Sequence, residues 1–307
     1  MILFDFFFDQ ALPMNALLKV QAARYFRLAL VLFGAALSAP VSADSVTVRT
    51  ALRVCADPSN LPMSNKQGLG YENKIAELFA RKLGLPLEYE WFPQRIGFIR
   101  NTLRNNDTPD GSYKCDLVMG TIENFDIAAT TRPYMHSSWA MVYVKGRGLD
   151  FIESQDDLKE LKAEQKEKLR IGIWDRGPTT DWIFQVDLME YGTPYQTMAG
   201  DARETPGKII ERDLVQDKIN LTFIWGPIAG YYAKEIQDHE IRVIPMNNEP
   251  GLRFNYQISM AVRFGEDEWK AQINRLIAEN QAEIDQILAE YGVPMRELII
   301  REIADDD

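Results

Sequence analysis

The chain has 307 residues, two cysteines, two histidines and a formal net charge of −11, from 45 acidic and 34 basic side chains. That balance argues against nucleic acid and anionic lipid as partners, and Cys55, Cys115, His136 and His239 show no zinc-site spacing. The length suffices for two domains, each with a sizeable core.

At the N-terminus, Lys19, Arg24 and Arg27 precede the apolar run Leu28 to Leu37, and Val41-Ser42-Ala43 supplies small residues at a cleavage position. This pattern predicts a secretory signal peptide over residues 1–43; the run is too short for the alternative, an uncleaved anchor. The first thirteen residues fit no part of such a signal, so a translation start at Met14 is expected. No later apolar stretch is long enough to cross a bilayer. Cleavage removes three basic and two acidic side chains, leaving 31 against 43, a net charge of −12, on an exported periplasmic chain.

Leu52 to Ala56 reads as an apolar strand, followed by a loop from Asp57-Pro58 to Gly70. Tyr71 to Leu83 is an amphipathic helix with Ile75, Leu78, Phe79 and Leu83 on one face, closed by Gly84. Leu85, Leu87, Tyr89 and Trp91 alternate along a second strand, and Cys115 to Met119 makes a third that opens into Gly120-Thr121-Ile122. Thr131-Arg132-Pro133-Tyr134 closes this unit, whose strand–helix order predicts parallel pairing with right-handed crossovers. The polar stretch Asn105 to Tyr113 reads as a surface loop. Ligands of such sheets sit beyond the carboxyl ends of the strands, here near Asp57, Trp91 to Arg95 and Gly120 to Ile122.

A second unit follows. Asp156 to Lys168 is a charged, solvated helix; Leu169 to Trp174 is a strand; and Asp175 to Thr180 leads into a helix starting near Asp181. Arg176, Thr179 and Thr180 lie at that helix start, where exposed amides can hold a polar group. A helix over Lys208 to Asp217, a strand over Leu221 to Trp225, a helix over Pro227 to Glu235 and a strand over Ile241 to Met246 complete it. Tyr256 to Phe264 is a further strand, and Asp267 to Tyr291 one long helix stopped by Gly292 and Pro294. The chain crosses between units near Tyr143–Gly148 and Ile244–Phe254. The expected fold is α/β, two Rossmann-like lobes joined by a two-strand hinge: residues 44–144 and 246–307 form lobe 1, and 145–245 lobe 2. A hinge between such lobes makes a cleft.

This order of elements over residues 50–300 resembles the type II periplasmic binding proteins, particularly the polar amino-acid receptors of ABC transporters. The resemblance implies an Arg about ten residues before Tyr134 and an Asp before the Tyr231-Tyr232 helix, gripping the two ends of an amino acid. Those positions fall on Asn124 and on Trp225 or Gly226, so both charges are absent. Losing two charged hydrogen bonds weakens a zwitterion by at least about a hundredfold. An amino acid is therefore not the expected ligand, unless Arg95, Arg132 or Arg176 supplies the clamp from elsewhere.

Leu52 to Pro62, Gly70 to Ala76, Trp91 to Arg95, Gly97 to Leu103, Cys115 to Gly120 and Thr130 to Tyr134 are similar to one subfamily. These blocks resemble the J proteins of bacterial methanol-oxidation clusters, binding proteins associated with quinoprotein dehydrogenases, nearer the XoxJ than the MxaJ branch. The resemblance implies a periplasmic accessory protein that binds a PQQ-dependent methanol or alcohol dehydrogenase and helps mature or activate it. The alternative is an ABC-transporter receptor for a small, weakly charged solute. A small ligand in the cleft is compatible with either.

The candidate cleft residues are Asp57, Asn60, Trp91, Gln94, Arg95, Gly120, Thr121, Asn124, Arg132, Trp174, Arg176, Thr179, Thr180 and Trp225. Trp91, Trp174 and Trp225 fall at strand ends; singly each reads more readily as core, but three together favour an apolar cleft wall. Arg95 and Arg132 have a structural reading as loop braces. Cys55 and Cys115 are open to two readings, a disulfide in an oxidising compartment or two small buried hydrophobes, because their places on parallel strands put them near opposite ends. Asp305-Asp306-Asp307 reads as a frayed tail rather than a cation site. No nucleophile elbow, phosphate loop or cofactor fingerprint occurs, so neither an enzyme nor a cofactor is expected.

Overall fold

The strand and helix signals from Leu52 onward become nineteen regular elements in a computed structural model that describes residues 49–197 and 205–298. The expected signal peptide, residues 1–43, and the tail Asp305-Asp306-Asp307 lie outside the described residues. The first elements are β1 (Leu52–Ala56), β2 (Ser59–Asn60), β3 (Ser64–Asn65), α1 (Tyr71–Leu83), β4 (Leu87–Trp91), α2 (Phe98–Asn101), β5 (Leu117–Ile122) and β6 (Ala129–Val144). Next come α3 (Asp156–Lys159), α4 (Ala163–Lys166), β7 (Ile171–Trp174), α5 (Pro178–Gln185), β8 (Gly192–Tyr195), β9 (Leu221–Trp225) and α6 (Gly226–Glu235). Last are β10 (Ile241–Pro245), β11 (Asn255–Val262), α7 (Asp267–Glu279) and α8 (Gln281–Glu290).

Helix α1 forms where the apolar spacing predicts it. Ile75, Leu78 and Phe79 are buried, each contributing about 1.5–3 kcal/mol. At its C-terminus Gly84 takes the left-handed conformation, φ 65°, and its N–H donates to Ala80 and Arg81 carbonyls. At its start the buried Asn73 side chain accepts from the N–H groups of Gly70 and Asn65. That ties the β2–β3 loop to the first turn of α1.

Among the described residues, nine strands form one sheet in the order β4-β1-β5-β11-β6-β9-β7-β8, with β10 also paired to β6. The pairs β1/β4, β1/β5, β7/β8 and β7/β9 are parallel, as the crossover order predicts. Strands β6, β10 and β11 run antiparallel to their neighbours, so the sheet is mixed rather than parallel throughout. Strand β6 is the long element: its first half pairs with β11 and its second half with β9 and β10. It therefore carries the chain past both hydrophobic clusters, one built around α1, β1, β5, α7 and α8, the other around Trp182, Phe223 and Phe254.

Several expectations change. The single helix over Asp267 to Tyr291 breaks at Asn280, whose backbone leaves the helical region (φ −120°, ψ 17°) while its side-chain amide donates to Leu276 O. The charged helix over Asp156 to Lys168 is two single turns, α3 and α4. The helix over Lys208 to Asp217 shortens to a wide π-type turn over Ile209–Leu214. The polar stretch Asn105 to Tyr113 is a loop, as expected, closed by bonds among Thr108, Asp110 and Ser112.

Cys55 and Cys115 are joined by a disulfide, with their Cα atoms 5.5 Å apart. The reservation drawn from strand position fails because β5 starts only at Leu117: Cys115 precedes the strand, across a bend at Asp116. Beside the bridge the buried Arg263 guanidinium donates to Leu103 O, Cys115 O, Asp116 Oδ1 (2.7 Å) and Glu266 Oε1 (2.8 Å).

Candidate functional site

Where the carboxyl ends of β1 and β5 meet the ends of β7 and β9, the structure forms a partly open cavity of about 80 Å³. Its walls are mainly apolar: Met63, Ile122, Met135, Trp139, Ile224, Trp225 and Ile258 among them. At about 10–15 Å³ per water it holds on the order of half a dozen waters, well below the roughly 300–1,000 Å³ of an ordinary ligand pocket.

Register explains the aromatic wall. Trp139 on β6 and Trp225 on β9 are direct cross-strand partners, their rings edge-to-face at 6.4 Å. Trp225 meets Tyr256 of β11 in the same manner at 6.0 Å. Trp174 is buried and its indole N–H donates to Phe223 O at 2.9 Å. The indole N–H of Trp139, a residue only 7% exposed, has no hydrogen-bond partner among the described residues.

Among the described residues Glu72 is the one carboxyl in this lining. It occupies the first turn of α1, is 8% exposed, and its side chain makes no hydrogen bond among the described residues. Burial pushes its carboxyl up to about 7, and the charge of Asp57 adds to the rise. The helix start favours the ionised form, but burial outweighs it. Gly120 makes room for this carboxyl, since a Cβ there would lie 2.4 Å from Glu72 Oε1.

Of the expected cleft residues, Asn60, Gln94, Gly120, Thr121, Trp174, Arg176 and Trp225 line the cavity. Asn60 donates to Gln94 Oε1 at 2.9 Å. Asp57 stands behind them, accepting from the backbone N–H groups of Ser59 and Gln94, so it braces the loops rather than facing the cavity. Thr180 donates to Trp174 O at 2.7 Å and Thr179 is buried, so both build the β7–α5 turn. Arg176 is exposed.

Four residues lie elsewhere. Trp91 ends the edge strand β4 and stacks on Tyr89 at 4.6 Å. Arg95 is exposed in the turn after β4. Asn124 turns the chain with φ 60° and lies with Arg132 beside α7, in a separate depression with Lys270 and Asn274. The Arg132 backbone N–H is held by Asn274 Oδ1 at 2.7 Å. A clamp at Gly226 is excluded physically: a Cβ there would lie 2.4 Å from Ser138 O.

Glu72, Trp139 and Tyr71 escaped the sequence reading. Glu72 and Tyr71 look like an ordinary first helical turn, and Trp139 sits in an apolar run that gave no boundary signal.

Two lobes on a shared mixed sheet, with a cavity where the strand ends converge, define a type II periplasmic binding protein fold. No family model matches the chain. It is 31% identical to the crystallised periplasmic binding protein XoxJ from Methylobacterium extorquens AM1, covering 80% of this chain and 100% of that one with a TM-score of 0.64. MxaJ from Methlophaga aminisulfidivorans MPT matches with a TM-score of 0.66 and 24% identity, over 80% of this chain and 100% of that one. Protein MoxJ of Paracoccus denitrificans is 25% identical over 275 residues, 85% of this chain and 93% of its own length. The chain belongs to the XoxJ/MxaJ-like family of type II periplasmic binding proteins. Among the described residues no helix is long and apolar enough to cross a membrane, and no cluster of His, Cys, Asp or Glu could hold a metal ion.

Proposed function

We propose that this protein is an exported, non-catalytic accessory factor that binds a periplasmic PQQ-dependent alcohol dehydrogenase and assists its maturation or activation. The observation that carries this reading is the likeness to XoxJ over that protein's full length, together with the sequence blocks of lobe 1. The cavity supports it. Its aromatic wall and missing charge clamps suit a partner's apolar segment better than a free amino acid, and buried aromatic anchors dominate protein–protein affinity. Residues 44–144 with 246–307 and residues 145–245 are the lobes that would close on such a segment.

Deleting the gene, assaying periplasmic dehydrogenase activity and complementing with variants tests the proposal. Trp225→Ala and Trp174→Ala should each weaken partner binding by about 2 kcal/mol or more, while changes on α3 and α4 should have little effect. Unchanged activity in the deletion strain refutes the accessory role; full rescue by both tryptophan variants refutes only the cleft as contact surface. This reading includes cleavage after Ala43, and N-terminal sequencing of the mature protein should begin at Asp44.

A further inference from the structure

We infer that the turn after α8 and the segment that follows it, Tyr291 to Glu297, form a third tie between the lobes, a latch that sets the width of the cavity. The chain itself crosses between the lobes twice, through β6 and after β10; this tie is non-covalent. The inference takes from the proposed function only the division into lobes, and nothing in it depends on the dehydrogenase.

Three sets of contacts build the latch. Tyr291 stands between the lobes: its ring stacks on Tyr231 of α6 at 6.1 Å and meets Tyr71 of α1 edge-on at 6.0 Å, while its hydroxyl donates to Leu69 O at 2.6 Å. Tyr71 lines the cavity, and so does Ile228, one turn before Tyr231 on α6, so this row of rings borders the cavity. Beside it the backbones of Gly230 and Gly292 touch. A Cβ on Gly230 would overlap Gly292 O, and one on Gly292 would lie 2.7 Å from Gly230 O, so neither position has room for a side chain. Lys234, one turn further on, donates to Glu290 O at 2.6 Å and ties α6 to the last turn of α8.

The chain after Gly292 completes the tie along β6. Ser137 Oγ donates to Pro294 O at 2.9 Å, and the Arg296 N–H to His136 O at 2.8 Å. The Arg296 guanidinium then donates to Met246 O (3.1 Å) and Asn247 Oδ1 (2.9 Å) in the second crossing, where Gln155 of lobe 2 holds the Asn247 backbone. Gly292 and Pro294, which read in the sequence as a helix stop, thus also carry contacts from one lobe to the other. Close-packed surfaces shift between discrete arrangements rather than stretch. Rotating one lobe against the other therefore has to part Gly230 from Gly292 and unstack Tyr291 in the same step.

Pulsed electron-spin distance measurements on the purified full-length mature protein test this. Nitroxide labels on cysteines replacing Arg100 and Asp181, exposed residues of lobe 1 and lobe 2, report the separation of the lobes; labels replacing Arg81 and Arg100, both in lobe 1, are the control. Wild type should give one narrow inter-lobe distance. Gly230→Ala suits a helix but wedges α6 away from Gly292, and Arg296→Ala releases the segment from the second crossing. Each should shift or broaden the inter-lobe distribution beyond its wild-type width and leave the control pair unchanged. If Gly230→Ala does not fold, Arg296→Ala, which disturbs no backbone packing, carries the test alone. A broad wild-type distribution, a folded variant with an unchanged inter-lobe distance, or an equal change in the control pair overturns the latch. Failure of the dehydrogenase reading would leave all of these distances as they are.

Discussion

Replacing Glu72 by Gln should change the stability of the protein in a way that depends on pH and has a fixed sign. The folded carboxyl titrates at about 7 and the unfolded one at 4.5. The raised folded value means that between these limits the native protein keeps a proton that the unfolded chain has lost. The associated stability is fully present below 4.5 and is lost as pH rises through 7. At about 1.4 kcal/mol per pH unit, the gap amounts to about 3 kcal/mol of stability lost by pH 8. Glutamine keeps the side-chain volume but has no charge to bury. The variant should therefore differ little from wild type at pH 4.5 and be more stable by about 3 kcal/mol at pH 8. Denaturant unfolding at the two pH values measures this directly, because every other titrating group is common to both proteins. A stability difference that stays constant within about 0.5 kcal/mol would refute the claim that Glu72 is a desolvated carboxyl.

Reduction of Cys55–Cys115, or the double change to Ala, opens a link across 60 positions. The chain-entropy model gives a loss of about 4 kcal/mol, readable as a lower denaturant midpoint, while an unchanged midpoint would count against it. Arg263→Ala removes the guanidinium that binds Asp116 Oδ1 and the carbonyls of Leu103 and Cys115 beside that bridge. It should cost about 3–5 kcal/mol, and a loss below about 1 kcal/mol would mark the network as dispensable. No standard amino acid should bind with micromolar affinity, because Gly226 has no room for a side chain and Asn124 lies outside the cavity. Calorimetry across the set would expose an exception.

Much of the scaffold was legible because its signals are local. Strand β1, helix α1 and strand β9 fall where hydrophobic spacing and the Gly84 cap put them. Strand β6 was legible only in part, since Thr131 to Tyr134 marks its start but the apolar residues after it contain no turn signal before Lys145. Antiparallel pairing of β6 and β11 is a long-range choice that no local pattern specifies. The break at Asn280 was hidden because α7 and α8 share one apolar stripe. Tryptophan position was a good guide at Trp174 and Trp225, whose strands lie inside the sheet. It failed at Trp91 because β4 is the edge strand, and only pairing order reveals that.

A partner segment wedged against Trp225 would seal the Glu72 carboxyl further from water and favour its protonated form. Proton uptake must then accompany binding, so linkage requires partner affinity to rise as pH falls through 7. Measuring dehydrogenase binding at pH 6 and pH 8 tests this, with Glu72→Gln as the control in which the pH dependence should shrink. Partner binding that is indifferent to pH in the wild-type protein would place the dehydrogenase contact on a surface away from Glu72.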